Sequence, residues 1–131
     1  MNLRYSANVM KFEDGMKKVS AIAWSSTGKK LAIASADKVL PSLFQSVYLF
    51  DDAGEKKDKF PTKPSDKGQK SYLIRALEFS PDSSKIAVAQ SDNIVFIYKV
   101  GIEWGEKKAI CNKFPVPTSV TCMTWPREHH N

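Results

Sequence analysis

Val19-Ser20-Ala21-Ile22-Ala23-Trp24 sets the pattern by which the rest of the chain is read. It returns as Ile74-Arg75-Ala76-Leu77-Glu78-Phe79 and again as Val120-Thr121-Cys122-Met123-Thr124-Trp125, with large apolar residues at the same three places. The residues after the first two copies also align. Ser25 to Gly28 stands over Ser80-Pro81-Asp82-Ser83, and Leu31-Ala32-Ile33-Ala34 over Ile86-Ala87-Val88-Ala89. Asp37 falls on Asp92, and Val47-Tyr48-Leu49-Phe50 on Val95-Phe96-Ile97-Tyr98. The chain is built of repeats, whose copies start 55 and 46 positions apart.

Within each repeat the apolar residues alternate with period two over short runs, and turn residues fill the breaks, which is the pattern of strands. The first repeat predicts strands at 19–24, 30–35 and 47–50, the second at 74–79, 85–90 and 94–100. Fourth strands are expected at 57–60 and 109–114. Pro81 suits the second position of a type I turn, where its fixed φ is already correct, and Asp82 and Ser83 bond locally to the backbone. Gly28 serves the equivalent turn. The alternation of Ala with Leu, Ile and Val in the second strands needs a sheet covered on both faces, because a half-exposed sheet would carry polar residues where these alanines stand.

Such a sheet, repeating at about 48 residues once an insertion at 40–46 is discounted, has the period of a propeller blade. The expected fold is all-β, an incomplete β-propeller of about two four-stranded antiparallel blades plus the opening strand of a third. Residues 1–12 form a leading strand, 18–61 the first blade, 62–73 a basic connector, 74–114 the second blade, 119–126 the start of the third, and 127–131 a tail. Propellers close with about four to eight blades, so these residues cannot close one alone. Val19, Ile22, Trp24, Ile74, Leu77, Phe79, Val120, Met123 and Trp125 are the expected core anchors. Asp37 and Asp92 are expected in the turns between second and third strands.

The chain has 131 residues, 42% of them hydrophobic, enough for an ordinary core and too many for a disordered chain. No run of about 18 apolar residues occurs, and the first residues lack the apolar stretch of a secretory signal, so the cytosol or a compartment continuous with it is the expected location. Cys111 and Cys122 stand apart from any metal-ligand spacing and are expected as buried, reduced thiols. The formal charge of +6 is concentrated between Ala53 and Arg75, where seven basic residues face three acidic ones. Lys56, Lys57, Lys59, Lys63, Lys67 and Lys70 therefore form a candidate contact patch for anionic membrane or an acidic partner, or else a solvated loop. The stretch lacks the interleaved aromatics of a single-stranded nucleic-acid platform, and nucleic acid is not expected.

No catalytic constellation is legible. Gly-x-Ser-x-Gly, His-Glu-x-x-His, phosphate-loop and dinucleotide patterns are all absent. His129 and His130 lie at the carboxyl end beside Glu128, without a rigid frame for metal or acid-base work. Enzymatic activity, a cofactor, a metal and a small-molecule substrate are not expected.

Several segments resemble WD-repeat proteins and, within them, the intraflagellar transport 172 family. They are Lys18-Val19 through Trp24-Ser25, Asp58-Lys59-Phe60 with Thr62-Lys63-Pro64, Lys70-Ser71-Tyr72, Phe79 to Ser83, Lys85-Ile86-Ala87 and Asp92-Asn93-Ile94. The resemblance continues in Trp104-Gly105-Glu106-Lys107-Lys108, Ile110 to Phe114, Val120-Thr121-Cys122 and Trp125-Pro126. It implies a non-enzymatic protein-protein scaffold, the beginning of the amino-terminal propeller of a subunit of the intraflagellar transport B complex. Contacts with other subunits of that complex, a part in cilium assembly, and residence in cytoplasm, cilium and basal body region are implied with it. A generic WD-repeat module whose basic connector binds anionic membrane or an acidic partner is the alternative.

The sequence also departs from the family. The Gly-His signature is missing, and Phe50-Asp51 and Tyr98-Lys99 stand where Trp-Asp would, which reduces Asp37 and Asp92 to turn roles. Leu40 to Ser46 has no counterpart in the second repeat. Its residues can be written in pyrimidine-rich codons followed by CAG, as a translated intron end would be; cDNA spanning Val39 to Val47 checks this. The family continues into a second propeller and a long helical-repeat tail, whose functions do not carry over to these residues.

Overall fold

The structure is a computed structural model, in which residues 16–37, 45–66, 72–118 and 123–126 are described. Among them are eight strands and no helix: β1 Met16–Trp24, β2 Lys30–Asp37, β3 Gln45–Asp51, β4 Lys56–Pro61, β5 Ile74–Phe79, β6 Lys85–Gln90, β7 Ile94–Lys99 and β8 Ala109–Pro115. They form two four-stranded antiparallel sheets, ordered β1-β2-β3-β4 and β5-β6-β7-β8. Each repeat is thus one up-and-down blade, and the fold is an incomplete propeller.

The alternation of large and small residues explains how the blades meet. In register, Ile22 lies opposite Ile33 and Trp24 opposite Leu31, and β2 continues this face with Leu31 against Phe50 and Ile33 against Tyr48. The other face of the first sheet carries Ala21, Ala23, Ala32, Ala34, Val47, Leu49 and Phe60, and this is the face that meets the second blade. From the second blade, Leu77, Phe79, Ile86, Val88, Phe96 and Tyr98 project into it. In the shared core the alanines of β1 and β2 make room for the large residues of the second sheet, while Val47, Leu49 and Phe60 add bulk from the first, with the Phe60 and Tyr98 ring centres 4.9 Å apart. Fully burying one such large side chain contributes about 1.5–3 kcal/mol.

The opening strand of the second sheet turns its large residues toward the first sheet. Ile74, Leu77 and Phe79 therefore lie in the core, at 5% exposure or less. The first sheet has no described sheet before it, and the expected anchoring fails there: Val19, Ile22 and Trp24 are 37%, 59% and 53% exposed. Their neighbours Leu31, Ile33, Tyr48 and Phe50 form a smaller buried cluster on the same sheet. Trp125, half-buried, stands against the second sheet, where with Ala87, Ile97 and Phe114 it lines a cleft of about 290 Å³. Met123 is half-buried, and 123–126 contains no strand. Val120, the leading strand at 1–12 and the tail at 127–131 lie outside the described residues.

Two further expectations change. Gln45 and Ser46, read as the end of an insertion, belong to β3 and are buried; only 40–44 of that segment lie outside the described residues. Cys111 is exposed rather than buried, on a β8 whose residues all face solvent, and its Sγ donates to the Ile97 carbonyl at 3.4 Å. Cys122 lies outside the described residues.

The turns after β1 and β5 reuse one geometry with different residues. Gly28 has φ 72° and Ser83 φ 64°, so the second repeat accepts with a serine the left-handed conformation that glycine adopts without strain. Asp82 supports that turn: its Oδ1 accepts from Ser80 Oγ at 2.6 Å, Ser84 Oγ at 2.8 Å and Ser84 N at 3.1 Å.

Candidate functional site

The seam between the blades is apolar along its middle and polar at both ends. At one end a loop from the second blade closes on the first. Asp58 shares its face of β4 with Phe60, by the alternation of a strand, and so points its carboxylate at the seam. Its Oδ2 accepts from Lys108 Nζ at 2.6 Å and from Gly105 N at 2.9 Å. Lys30, which opens β2 on the same face, donates from Nζ to the carbonyls of Ile102 at 2.7 Å and Gly101 at 3.1 Å. Its ammonium also lies 4.9 Å from the centre of the Trp104 ring. Residues 101–108 thus form a latch that holds one blade to the next through two lysines and one aspartate.

At the opposite end, Gln45 is the hub. Its Oε1 accepts from Ile74 N of the second blade and from Ser20 Oγ at 3.2 Å. Its carbonyl accepts from Thr62 Oγ1 at 2.5 Å and Thr62 N at 3.0 Å, and Thr62 Oγ1 also shares a hydrogen bond with the Tyr72 hydroxyl. Beside it, Gln90 Nε2 donates to the Lys63 carbonyl and to Asp92 Oδ1, while Asp92 Oδ2 accepts from Ser65 N at 2.7 Å. Asp92 therefore sits in the β6–β7 turn and also ties down the segment linking the blades. Asp37 ends β2, in register with Met16.

The basic stretch is only partly a connector. Lys56, Lys57 and Lys59 are on β4, the outer strand of its sheet, and Lys63 follows it; all four are exposed. Lysines and Pro61 on an outer strand discourage pairing with another chain, and Lys113 and Pro115 do the same on β8. Lys57 is held 3.8 Å from Asp51 and 3.5 Å from Glu55. Lys59 lies 4.9 Å from the Tyr48 ring centre and Lys63 5.8 Å from that of Phe96. Lys67 and Lys70 lie outside the described residues.

The electrostatics of the latch and the turn set a pH dependence. Burial raises the Asp58 pKa, but the Lys108 hydrogen bond, the Gly105 N–H and the Lys108 charge outweigh it, leaving the carboxyl below its ordinary value. The Ser80 hydroxyl, with the N–H and hydroxyl of Ser84, holds Asp82 down from 3.8 to about 2. Burial first, with the Lys108 charge beside it, lowers the pKa of Lys30. For both aspartates the folded value lies below the unfolded one, so the folded chain binds fewer protons. Their stabilising contribution is complete above the unfolded value and is lost as pH falls through the folded values. Urea-unfolding midpoints are expected to fall between about pH 4 and pH 2, and less steeply in Asp82→Asn. A parent midpoint that stays constant over that interval would show that neither carboxylate acts in this way.

The seam could not be found from a sequence motif, but it left a trace: Asp58 is the single acid within Lys56-Lys57-Asp58-Lys59-Phe60, on the face of the buried Phe60. A carboxylate aimed at a core needs a cation, and Lys108 supplies it.

The sequence profile described as "WD domain, G-beta repeat" matches residues 8–40 and 62–99, more than half of the chain. Among curated proteins, the chain is 45% identical over 131 residues to "Intraflagellar transport protein 172 homolog" of Homo sapiens. It is 47% identical over 128 residues to "Intraflagellar transport protein osm-1" of Caenorhabditis elegans, and 47% over 134 residues to "Intraflagellar transport protein 172" of Chlamydomonas reinhardtii. These alignments cover 98%, 96% and 100% of this chain and 7% of each relative, so the chain spans a small part of their length. With two sheets that repeat one sequence pattern and this profile laid across both, the chain belongs to the WD-repeat family.

Proposed function

We propose that this chain is a non-enzymatic scaffold for protein-protein contact, part of a subunit that serves intraflagellar transport. The observation that carries the proposal is similarity at 45–47% identity along nearly the whole chain to proteins bearing that name. In the finer reading the partners are other subunits of the intraflagellar transport B complex, the process is cilium assembly, and the location is cytoplasm, cilium and basal body region. Two blades joined by a latched seam provide a rigid surface for such contacts.

A chimera tests this. In Chlamydomonas reinhardtii lacking the relative, the matching segment of that protein is replaced by this chain. Intraflagellar transport is expected to return, with the chimera in complexes with other transport proteins. An abundant chimera that joins no such complex and restores no transport overturns the proposal. The membrane reading has less support: the Lys57 charge is offset in place by Asp51 and Glu55, which thins the patch where it is densest.

A further inference from the structure

The two sheet faces that no other described sheet covers repeat the two faces that meet in the seam. On the open side of the first sheet, Val19, Ile22, Trp24, Ile33, Tyr48 and Phe50 hold the positions that Ile74, Leu77, Phe79, Val88, Phe96 and Tyr98 hold on the seam side of the second. On the open side of the second, Ala87, Ala89, Val95, Ile97, Asn112 and Phe114 hold the positions of Ala32, Ala34, Val47, Leu49, Asp58 and Phe60. What differs is cover. Phe60, inside the seam, is 3% exposed, whereas its counterpart Phe114 is 50% exposed beside the cleft of about 290 Å³. One open face is thus shaped for the other, as the two seam faces are for each other.

Charge agrees with shape. Lys85 opens β6 as Lys30 opens β2, and it lies exposed at the edge of the cleft. In the seam Lys30 meets the loop between β7 and β8; the loop at that place in the first sheet, between β3 and β4, is Asp52-Ala53-Gly54-Glu55. A first sheet laid on a second in the manner of the seam brings this acidic turn toward Lys85. The turn has four residues against the nine between β7 and β8, so its carboxylates act across a gap that salt screens. Two features weaken the contact. Glu78 stands where the first sheet has Ala23, and Trp125, the third copy of the Trp24 position, already lines the cleft, although no strand ladder holds 123–126. We infer that copies of this chain stack head to tail, the open face of the first sheet in one copy on the open face of the second sheet in another. Contacts between unlike faces pass from copy to copy until a ring closes. Propellers close at about four to eight blades, so about two to four copies complete one.

Sedimentation velocity of the chain over about 1 to 500 µM tests this, and half-association is expected at roughly 10 to 100 µM. Ile22→Lys and Phe114→Lys each spoil one face at an exposed position. Both variants are expected to keep the parent's circular dichroism and to remain monomeric. Mixed in equal amounts they are expected to form a dimer and nothing larger, because each keeps one sound face and the two sound faces are unlike. Lys85→Glu is expected to weaken association by roughly three- to tenfold at low salt, and Trp125→Ala, which vacates the place of the incoming Trp24, to strengthen it. A parent chain that stays monomeric at the highest concentration overturns the inference and leaves the two faces to another occupant, such as a further sheet of a longer polypeptide. So does a single variant that associates as the parent does, or a mixture that fails to pair while the parent associates. Unchanged affinity in Lys85→Glu, or weaker association in Trp125→Ala, would show that the sheets do not meet in the manner of the seam and overturns it as well.

Discussion

Phe96→Ala is expected to lower the stability of the chain by about 3–5 kcal/mol. Phe96 is 1% exposed, lies in β7 opposite Val88, and has its ring centre 6.1 Å from that of Tyr98. It fills the seam to which both blades contribute. Its removal leaves a cavity that two sheets, each held by its own ladder, cannot collapse around. A domain of this size has about 5–15 kcal/mol in total, so the variant should be largely unfolded at physiological temperature. Trp24→Ala removes a larger side chain, yet at 53% exposure it should cost only about 1 kcal/mol or less. Urea unfolding followed by tryptophan fluorescence and circular dichroism compares the two. Equal losses would contradict the assignment of the seam as the packed face.

The second large effect is expected at the latch. Asp58→Ala leaves the Lys108 ammonium without its carboxylate, on a side chain only 9% exposed, and deprives Gly105 N–H of its acceptor. Removing one partner of a well-buried pair costs about 3–5 kcal/mol. With Asp58 itself 16% exposed, water offsets part of the loss and about 2–3 kcal/mol is the expected value. Asp58→Leu combined with Lys108→Met should recover most of it, since the stranded charge is then gone. Lys57→Ala, whose partners are Asp51 and Glu55 at the surface, should cost less than about 0.5 kcal/mol. A double-mutant cycle in which the Asp58 and Lys108 effects simply add would show that the two do not act as a pair.

The strands were legible because each carries its own periodicity. Ile74–Phe79 and Lys85–Gln90 form strands over the residues the alternation indicates, since their apolar runs are bounded by turn residues on both sides. The early start of β3 was not legible: Gln45 and Ser46 are polar, and the partners that satisfy Gln45 in its buried position, Thr62, Ser20 and Ile74, lie far along the chain. The exposure of Trp24 was hidden for a related reason. Three equivalent residues have equal sequence signals, but burial also depends on which sheet stands next to each. The latch lay within reach through Asp58, although its partner could not be named, because fifty positions separate it from Lys108 and no local pattern joins them.

The large and small faces of the blades also give the assembly a direction. In its first two strands each sheet carries bulk on one side and mostly alanines on the other, like a row of stacked spoons. Reversing one sheet would set bulk against bulk. The direction of stacking is therefore favoured by side-chain volume as well as by the segment that links the sheets. A chain cut between β4 and β5 and rejoined elsewhere should still bring the same two surfaces together.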